Sequence, residues 1–231
     1  MLLFSLECSA AAASAAIYRD EKLLGEEFLN VPQTHSVTLL PMAKSLLERT
    51  GVSPAQIDYY AVSRGPGSFT GLRIGIAAIK GLAFPDNTPC IGVSTPEAIA
   101  YGLLGFTGTI IPMMDARCGQ VYTALFRGDN GTLTRLTEDE ALPLSELKEK
   151  LTACPGPLWL CGDGAHLGHA AWKEDLSVQM APAPLCYQRA SAVGLAAMQH
   201  RGEAVSPAAL VPCYLRPANA MTLAERQHKT E

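Results

Sequence analysis

Glycines and arginines in one short stretch of the chain could bind phosphate. Residues 63–83 read SRGPGSFTGLRIGIAAIKGLA, and a glycine-rich turn that opens a helix is a common phosphate cradle. A Walker loop requires lysine directly after its second glycine, but Leu72 follows Gly71. In a dinucleotide fingerprint the third glycine would come one residue before Gly71. Neither nucleotide motif is met, and what remains is a rigid loop that carries Arg64, Phe69 and Arg73.

The helix that follows this loop is predicted to be buried on every side. Apolar residues from Leu72 to Phe84 point in all directions around a helix. Gly71, Gly75 and Ala78 share one face, and small residues on a face let another backbone come close. Two interpretations stay open for the loop and helix together: a tight crossover that only packs, and a docking surface.

Three turns could together form a nucleotide cleft, which needs an acid and glycine-rich backbone. The first turn holds Glu7 but no glycine. The second holds Asp115 and Arg117, for which an ion pair that fixes a strand end is favoured over catalysis. The third holds Gly162 and Gly164, where a simple turn is favoured. These five residues are therefore predicted to form a vestigial cleft at most.

The residue spacing gives little support for a metal site or for a catalytic nucleophile. His166 and His169 lie three residues apart, but no third ligand is evident. Ser68 does not stand in the G-x-S-x-G pattern of a nucleophile elbow. The seven cysteines are odd in number and irregularly spaced, without C-x-x-C, which is typical of reduced thiols in a cytoplasmic protein. We expect no metal site and no catalytic residue.

The elements that must position these residues fall into two similar halves. Each half is predicted to run three-stranded meander, helix, strand, helix. In the first half the strands are 1–6, 14–18, 23–29, 59–63 and 90–93, and the helices are 34–47, 72–84 and 94–104. In the second half the strands are 109–114, 120–126, 133–136 and 158–161, and the helices are 145–151, 166–176 and 191–202.

The repeated order predicts two lobes. The N-terminal lobe spans residues 1–104 and the C-terminal lobe residues 105–220, and the polar residues 221–231 are predicted to be a flexible tail.

Composition excludes several classes of protein. The 231 residues are 48% apolar and 17% charged, which is typical of a globular chain and not of a disordered one. The low charge suggests that a partner covers some apolar surface. The net charge of -4 and the lack of a Lys/Arg cluster argue against tight RNA binding by this chain alone. No segment is predicted to span a membrane, and a cytoplasmic location is expected.

The run from Arg64 to Gly75, RGPGSFTGLRIG, closely resembles the signature of the bacterial TsaB (YeaZ) family. Supporting similarities are the opening strand, His35-Ser36, Asp115-Ala116-Arg117 and Tyr214-Leu215-Arg216. The resemblance implies an α/β fold: a reduced and duplicated, two-lobed form of the actin-like ATPase (ASKHA, ribonuclease H-like) fold. The family usually has Asp where Glu7 stands, which weakens any metal–nucleotide interpretation of the first turn.

The resemblance also implies a function without catalysis. Members of the family bind a paralogous catalytic subunit, TsaD, which transfers threonylcarbamoyl to adenosine 37 of tRNA, and a P-loop ATPase, TsaE, joins the larger assembly. The chain would have no cofactor of its own, and ATP or ADP would bind only at the subunit interface. It would contact tRNA only through the complex. When alone, it would form a homodimer. TsaD carries a His-x-x-x-His metal motif where this chain has His35 and Leu39, so no metal is expected here.

The partner interface is predicted on the first-lobe helices and the glycine loop. Its residues are His35, Leu39, Arg64, Pro66, Gly67, Ser68, Phe69, Thr70, Gly71, Arg73, Gly75 and Ala78.

Two other functions stay open. The first is an ATP-dependent small-molecule kinase of the same fold, with Asp115 as the base in the interlobe cleft. The second is a metallopeptidase, against which Leu39 argues because it stands where a second histidine ligand would be.

Overall fold

The computed structural model of the protein describes residues 1–216. Its first half contains β1 (Leu2–Glu7), β2 (Ala13–Arg19), β3 (Lys22–Leu29), α1 (His35–Thr50), β4 (Tyr59–Gly65), α2 (Phe69–Ala83), β5 (Cys90–Ser94) and α3 (Thr95–Tyr101). The five strands form one sheet in the order β3-β2-β1-β4-β5. β1, β2 and β3 are antiparallel, whereas β4 and β5 run parallel to β1. The predicted N-terminal meander is confirmed.

The second half repeats this sheet. It contains β6 (Gly108–Arg117), β7 (Gln120–Thr123), β8 (Phe126–Asp129), β9 (Thr132–Arg135), β10 (Glu140–Pro143), α4 (Leu144–Thr152), β11 (Leu158–Cys161), α5 (Ala165–Trp172), β12 (Val178–Met180) and α6 (Ala190–Gln199). The order β10-β7-β6-β11-β12 has the same strand directions as the first sheet, and the β8–β9 hairpin extends it along β6. The predicted duplication is therefore confirmed at the level of topology.

Five layers result from the packing of helices on these sheets. α1 and α2 cover one face of the first sheet, where Phe4 and Val62 meet Leu39 and Ile79. α3 lies between the two sheets, and α6 packs beside it on the face of the first sheet opposite α1 and α2. α4 and α5 cover the outer face of the second sheet, around the buried Trp172. No helix within residues 1–216 is long and apolar enough to cross a bilayer.

The predicted extent of the C-terminal lobe, 105–220, needs a correction, because the chain returns to the first lobe near its end. Val193 and Ala197 of α6 pack against Leu3 and Tyr18 of the first sheet. Further along, residue 205 forms an antiparallel bridge with Cys90 at the start of β5. Residues from α6 onward thus complete the N-terminal lobe. The predicted tail, 221–231, lies outside the described residues.

Several predicted elements also differ in their bounds. The predicted strand 120–126 is broken into β7 and β8, and the short strands β10 and β12 were not predicted. The helix expected from Leu72 already begins at Phe69, because the Ser68 Oγ accepts a hydrogen bond from the Gly71 amide at 3.3 Å.

The prediction that α2 is buried all round is wrong. One side of it faces solvent at Thr70, Arg73, Ala77 and Gly81.

A charged cluster joins the lobes on the side of α3. Glu97 accepts a hydrogen bond from Arg135 of β9 at 3.1 Å and lies 2.8 Å from the His200 Nε2. The other ring nitrogen of His200 lies 2.8 Å from Glu203. Arg135 also donates to Asp139 at 2.8 Å. Since a carboxylate only accepts hydrogen bonds, both nitrogens of His200 must carry protons to bind both acids, so the imidazolium is favoured.

This cluster predicts a pH dependence of stability. Burial alone would lower the pKa of His200, but the hydrogen bonds to Glu97 and Glu203 outweigh it and raise the pKa. A folded pKa above the unfolded value of about 6.5 stabilises the fold below that pH, and this stabilisation is lost as pH rises through the folded pKa. The stability difference between wild type and His200→Gln should therefore be larger at about pH 5.5, below the unfolded pKa, than at about pH 8.5. Urea unfolding at both pH values measures it, and a difference that does not change with pH would contradict the charged cluster.

Candidate functional site

The glycine loop, which contains Gly65 and Gly67, is in close contact with two other parts of the chain. Gly65 has φ 125°, and a Cβ there would lie 2.1 Å from the Cys213 carbonyl oxygen. A Cβ on Gly67 would lie 2.6 Å from the Ser9 carbonyl oxygen, which accepts a hydrogen bond from the Ser68 amide at 2.7 Å. The loop therefore lies between the first β-turn and the C-terminal segment, and glycine is required where each of them touches it.

The stripe of small residues on α2 faces inward. A Cβ on Gly71 would lie 2.1 Å from the Cys8 carbonyl oxygen, and one on Gly75 would lie 2.8 Å from the Cys8 Sγ. Ala78 is 8% exposed. The close approach that this stripe permits is thus made by the chain's own first turn. Gly71 and Gly75 were predicted at a partner interface, and that placement is wrong.

Glu7, at the end of β1, is enclosed within the first lobe. Its side chain is fully buried; one oxygen accepts from the Ser9 amide at 2.5 Å and the other from the Ser63 hydroxyl. Burial raises the pKa of Glu7, and the hydrogen bonds from Ser63 and Ser9 offset only part of the shift. Glu7 does not line the interlobe cavity, so its predicted place in a nucleotide cleft is corrected.

The interlobe cavity has a volume of about 440 Å³. It is lined by Ser9, Ala10, Ala11, Gly67, Ser68, Met114, Asp115, Ala116, Arg117, Tyr122 and Asp163. Asp115 accepts from the Arg117 amide at 2.8 Å, and its other oxygen lies 3.3 Å from the Arg117 Nη1. The predicted ion pair at this strand end is confirmed.

Of the third turn, only the residue between its two glycines reaches the cavity. Gly162 and Gly164 instead allow the turn to press on β6: their Cβ atoms would lie 2.2 Å from the Met113 carbonyl oxygen and 2.9 Å from the Asp115 amide nitrogen. Asp163 was not predicted as a site residue; its Oδ1 accepts a hydrogen bond from the Gln188 Nε2 at 2.9 Å. Burial raises the pKa of Asp163. An acid between two glycines just after a strand was the available signal.

The other residues of the predicted interface are divided between two places. His35 is half-buried with its Nε2 2.7 Å from the Ala10 carbonyl oxygen, and Leu39 is fully buried in the core of the first lobe. Leu39 was predicted to lie at the partner interface, and this is wrong: it is a core residue that forms only the floor of a groove. Pro66, Phe69 and the exposed Arg73 lie instead at the mouth of the interlobe cleft.

Two adjoining apolar grooves run over α1 and α2. The larger, of about 920 Å³, is lined by Leu40, Pro41, Ala43, Lys44, Leu47, Glu48, Gly51, Val52, Ser53, Pro54 and Leu82. The smaller, of about 410 Å³, is lined by His35, Ser36, Leu39, Leu40, Ile74, Ala77, Ala78, Gly81 and Leu82. We call their combined surface the helix-pair groove. Leu40, Ala77, Gly81 and Leu82 were not predicted, although apolar residues off the core side of both helices could have indicated them.

Within residues 1–216 no group of three or more His, Cys, Asp or Glu side chains is placed to hold a metal ion. His166, one of the two histidines considered for a metal, has its Nδ1 2.8 Å from the Asp163 carbonyl oxygen.

Comparison with known proteins gives the family. The model of the family described as TsaD, tRNA N6-adenosine threonylcarbamoyltransferase, matches residues 29–221. The tRNA threonylcarbamoyladenosine biosynthesis protein TsaB of Bacillus subtilis is 30% identical over 220 residues, which cover 95% of this chain and 96% of that protein. The chain belongs to the TsaB (YeaZ) family. This confirms the resemblance that the glycine loop suggested.

Solved structures agree with this membership. YeaZ from Pseudomonas aeruginosa has a TM-score of 0.77 and 27% identity, with 93% of this chain and 99% of that chain covered. A dehydratase component of Acidaminococcus fermentans, with a TM-score of 0.52 and 13% identity over 85% of this chain and 96% of that chain, shares the fold alone. The TsaB-family chain thus has the predicted actin-like ATPase fold.

A pair of glycine substitutions on α2 tests which side of this helix faces inward. Gly71→Ala should destabilise the protein by about 3 kcal/mol, because its methyl group would overlap the Cys8 carbonyl oxygen. Gly81→Ala has open space around its methyl group and should stabilise the helix by up to about 1 kcal/mol. Urea unfolding of the isolated chain measures both. A Gly71→Ala variant as stable as wild type would contradict the inward orientation.

Proposed function

We propose that this chain is a non-catalytic docking subunit in the biosynthesis of threonylcarbamoyladenosine in tRNA. Its helix-pair groove binds a paralogous catalytic subunit of the TsaD family. The observation that carries the proposal is the groove itself, an apolar surface on two helices of the first lobe. The name of the Bacillus subtilis relative supplies the pathway.

The groove has the features of a surface that is covered in an assembly. Leu40 is 52% exposed and Val37, on the same helix, is 65% exposed. Leu40 and Leu82 line both parts, so the two grooves form one continuous apolar area. A contiguous apolar patch of this kind is uncommon on monomers and typical of interaction sites. Apolar burial at about 25 cal/mol per Å² would supply most of the affinity.

The shape of α2 favours a helical partner. Ala77 and Gly81 are exposed, and a Cβ on Gly81 would meet no atom within 4 Å. Small residues at these positions let a facing helix approach closely. A paralogue of the same fold would present its own α1 and α2, so the two pairs would pack as four helices. In the absence of the paralogue, a second copy of this chain would occupy the same surface, which gives the homodimer.

The interlobe cleft supports a role without chemistry. Glu7 is buried within the first lobe, and Asp115, the base of the kinase interpretation, is paired with Arg117. ATP or ADP would then be bound at the interface with the catalytic subunit. The transfer to adenosine 37 takes place on that subunit, TsaE joins the larger assembly, and the complex holds the tRNA in the cytoplasm.

Ala77→Glu tests the docking surface. The substitution places a carboxylate on an exposed helical position, so the fold should be unaffected, but in the complex the charge would be buried without a partner. We expect the affinity for the TsaD-family subunit to fall by about 100-fold or more. Titration calorimetry, with gel filtration of the mixture, measures it.

The matched control is Ala170→Glu, which makes the same change at an exposed position of α5 in the other lobe. This variant should bind the partner as wild type does. If Ala77→Glu also binds as wild type, the docking surface lies elsewhere.

The kinase interpretation makes the opposite prediction for the isolated chain. A docking subunit should give no binding heat with magnesium and ATP in calorimetry, whereas a kinase should bind with a dissociation constant of about 1 mM or below. Saturable binding of magnesium and ATP by the isolated chain would favour the kinase and contradict the docking role.

A further inference from the structure

A small cavity opens beside the interlobe cavity, at the mouth of the cleft. Its volume is about 190 Å³, and it shares Gly67, Ala116, Arg117 and Tyr122 with the interlobe cavity. The chemistry of its wall differs from that of its neighbour, since none of its lining residues within the described chain is acidic. We call its aromatic and cationic side chains the mouth patch: Phe69, Arg117, Tyr122, Tyr214 and Arg216.

The aromatic part of the patch is held in place by stacking. The rings of Phe69 and Tyr214 have centroids 4.8 Å apart at an interplanar angle of 30°. The guanidinium of Arg73 lies 3.8 Å from the centre of the Phe69 ring, and its Nε donates to the Tyr214 hydroxyl at 3.1 Å. Tyr214 is nonetheless 36% exposed. Arg73 therefore acts as a positioning residue that fixes a tyrosine ring with one part open to solvent.

The cationic part comes from two separate segments. Arg117 is the last residue of β6, where the turn to β7 begins; it has φ 66°, and its side chain is 85% exposed. Arg216 is half-buried and donates from Nη1 to the Ala116 carbonyl oxygen at 2.7 Å. The C-terminal segment thus crosses from the glycine loop to the second lobe and brings Arg216 beside the Arg117 turn.

We propose that the mouth patch binds one unpaired nucleotide of an RNA strand, with the base stacked on Tyr214 and Tyr122 and the phosphate bound by Arg117 and Arg216. Open aromatic rings beside guanidinium groups are the means by which proteins hold single-stranded RNA. The cavity is smaller than the roughly 300 Å³ of typical cofactor pockets, which suits a single base. One nucleotide held by two arginines is compatible with the net charge of -4, because the contact is weak by itself.

The inference deepens the proposed function, since it rests on the assignment to tRNA modification for its biological ligand. It assigns this subunit a direct contact with RNA, at a place separate from the helix-pair groove.

Fluorescence anisotropy of a labelled single-stranded oligoadenylate with the full chain tests the proposal. At low salt, about 50 mM, wild type should bind weakly, with a dissociation constant on the order of 10⁻⁵ M. Tyr214→Leu should weaken binding about tenfold and leave its salt dependence unchanged, because it removes the stacking ring and no positive charge. Arg117→Gln and Arg216→Gln should each reduce the slope of log affinity against log salt by about 0.7, the value for one phosphate contact on a single strand. Arg117→Lys should restore the slope.

The control is Arg201→Gln, which removes an exposed arginine at the far end of α6 and should not change RNA binding. The proposal is overturned if wild type does not bind, if the patch variants bind as wild type does, or if a duplex of the same length binds equally well. Displacement of the oligonucleotide by AMP at equal nucleotide concentration would show a site for free nucleotide and also overturn it. Displacement by inorganic phosphate alone would do the same.

The same variants separate this proposal from the docking proposal. Patch variants should still co-elute with the TsaD-family subunit, whereas Ala77→Glu should keep RNA binding and lose co-elution. RNA binding can thus fail while docking holds, and the reverse.

Discussion

The structure depends on the close contact between the first β-turn and the glycine loop. The backbone at Cys8 and Ser9 lies against the chain at Gly67 and Gly71, at distances that leave no room for a Cβ. The Ser68 amide adds a hydrogen bond to the Ser9 carbonyl oxygen at 2.7 Å. This contact brings together the end of β1, the end of β4 and the beginning of α2. The entry to the interlobe cleft is therefore formed by backbone, and larger residues in these positions would force it open.

The outer surface of α2 follows from the same contact. With Gly71 and Gly75 turned inward, α2 lies close to the first sheet, and the positions left on the outer side include Ala77 and Gly81. These small residues lie beside α1, whose Leu40 is also exposed, and together they leave the apolar helix-pair groove. Large apolar side chains at positions 77 and 81 would fill this groove from within the chain. Small residues thus serve the fold on one side of α2 and leave space on the other.

Local patterns in the sequence predicted the elements well where periodicity is strong. The meander, the central strand and the helices α1 and α2 could be found because alternation and helical spacing act over a few residues. β10 and β12 have only four and three residues, which is too few for alternation to be recognised. The return of α6 to the first sheet could not be found, since no local pattern says which distant sheet an apolar helix covers.

The site was harder to predict than the fold. The stripe at Gly71 and Gly75 correctly indicated that a backbone comes very close, but spacing alone does not tell whether that backbone belongs to the same chain. The pairing of Phe69 with Tyr214 joins residues far apart in sequence, and only the resemblance to the family drew attention to both. Asp163 stood in a turn that was noted for its glycines alone.

The duplication explains why the two lobes contribute so differently to the cleft. β1 and β6 occupy the same place in their sheets, and each ends beside an acid, Glu7 in the first lobe and Asp115 in the second. In the first lobe the acid turns inward to Ser63 and Ser9, and the glycine loop closes over the turn. In the second lobe the acid pairs with Arg117 and the turn stays open to solvent. The turn of the first lobe thus supports α2, whereas the equivalent turn of the second lobe places an exposed arginine, Arg117, at the mouth of the cleft.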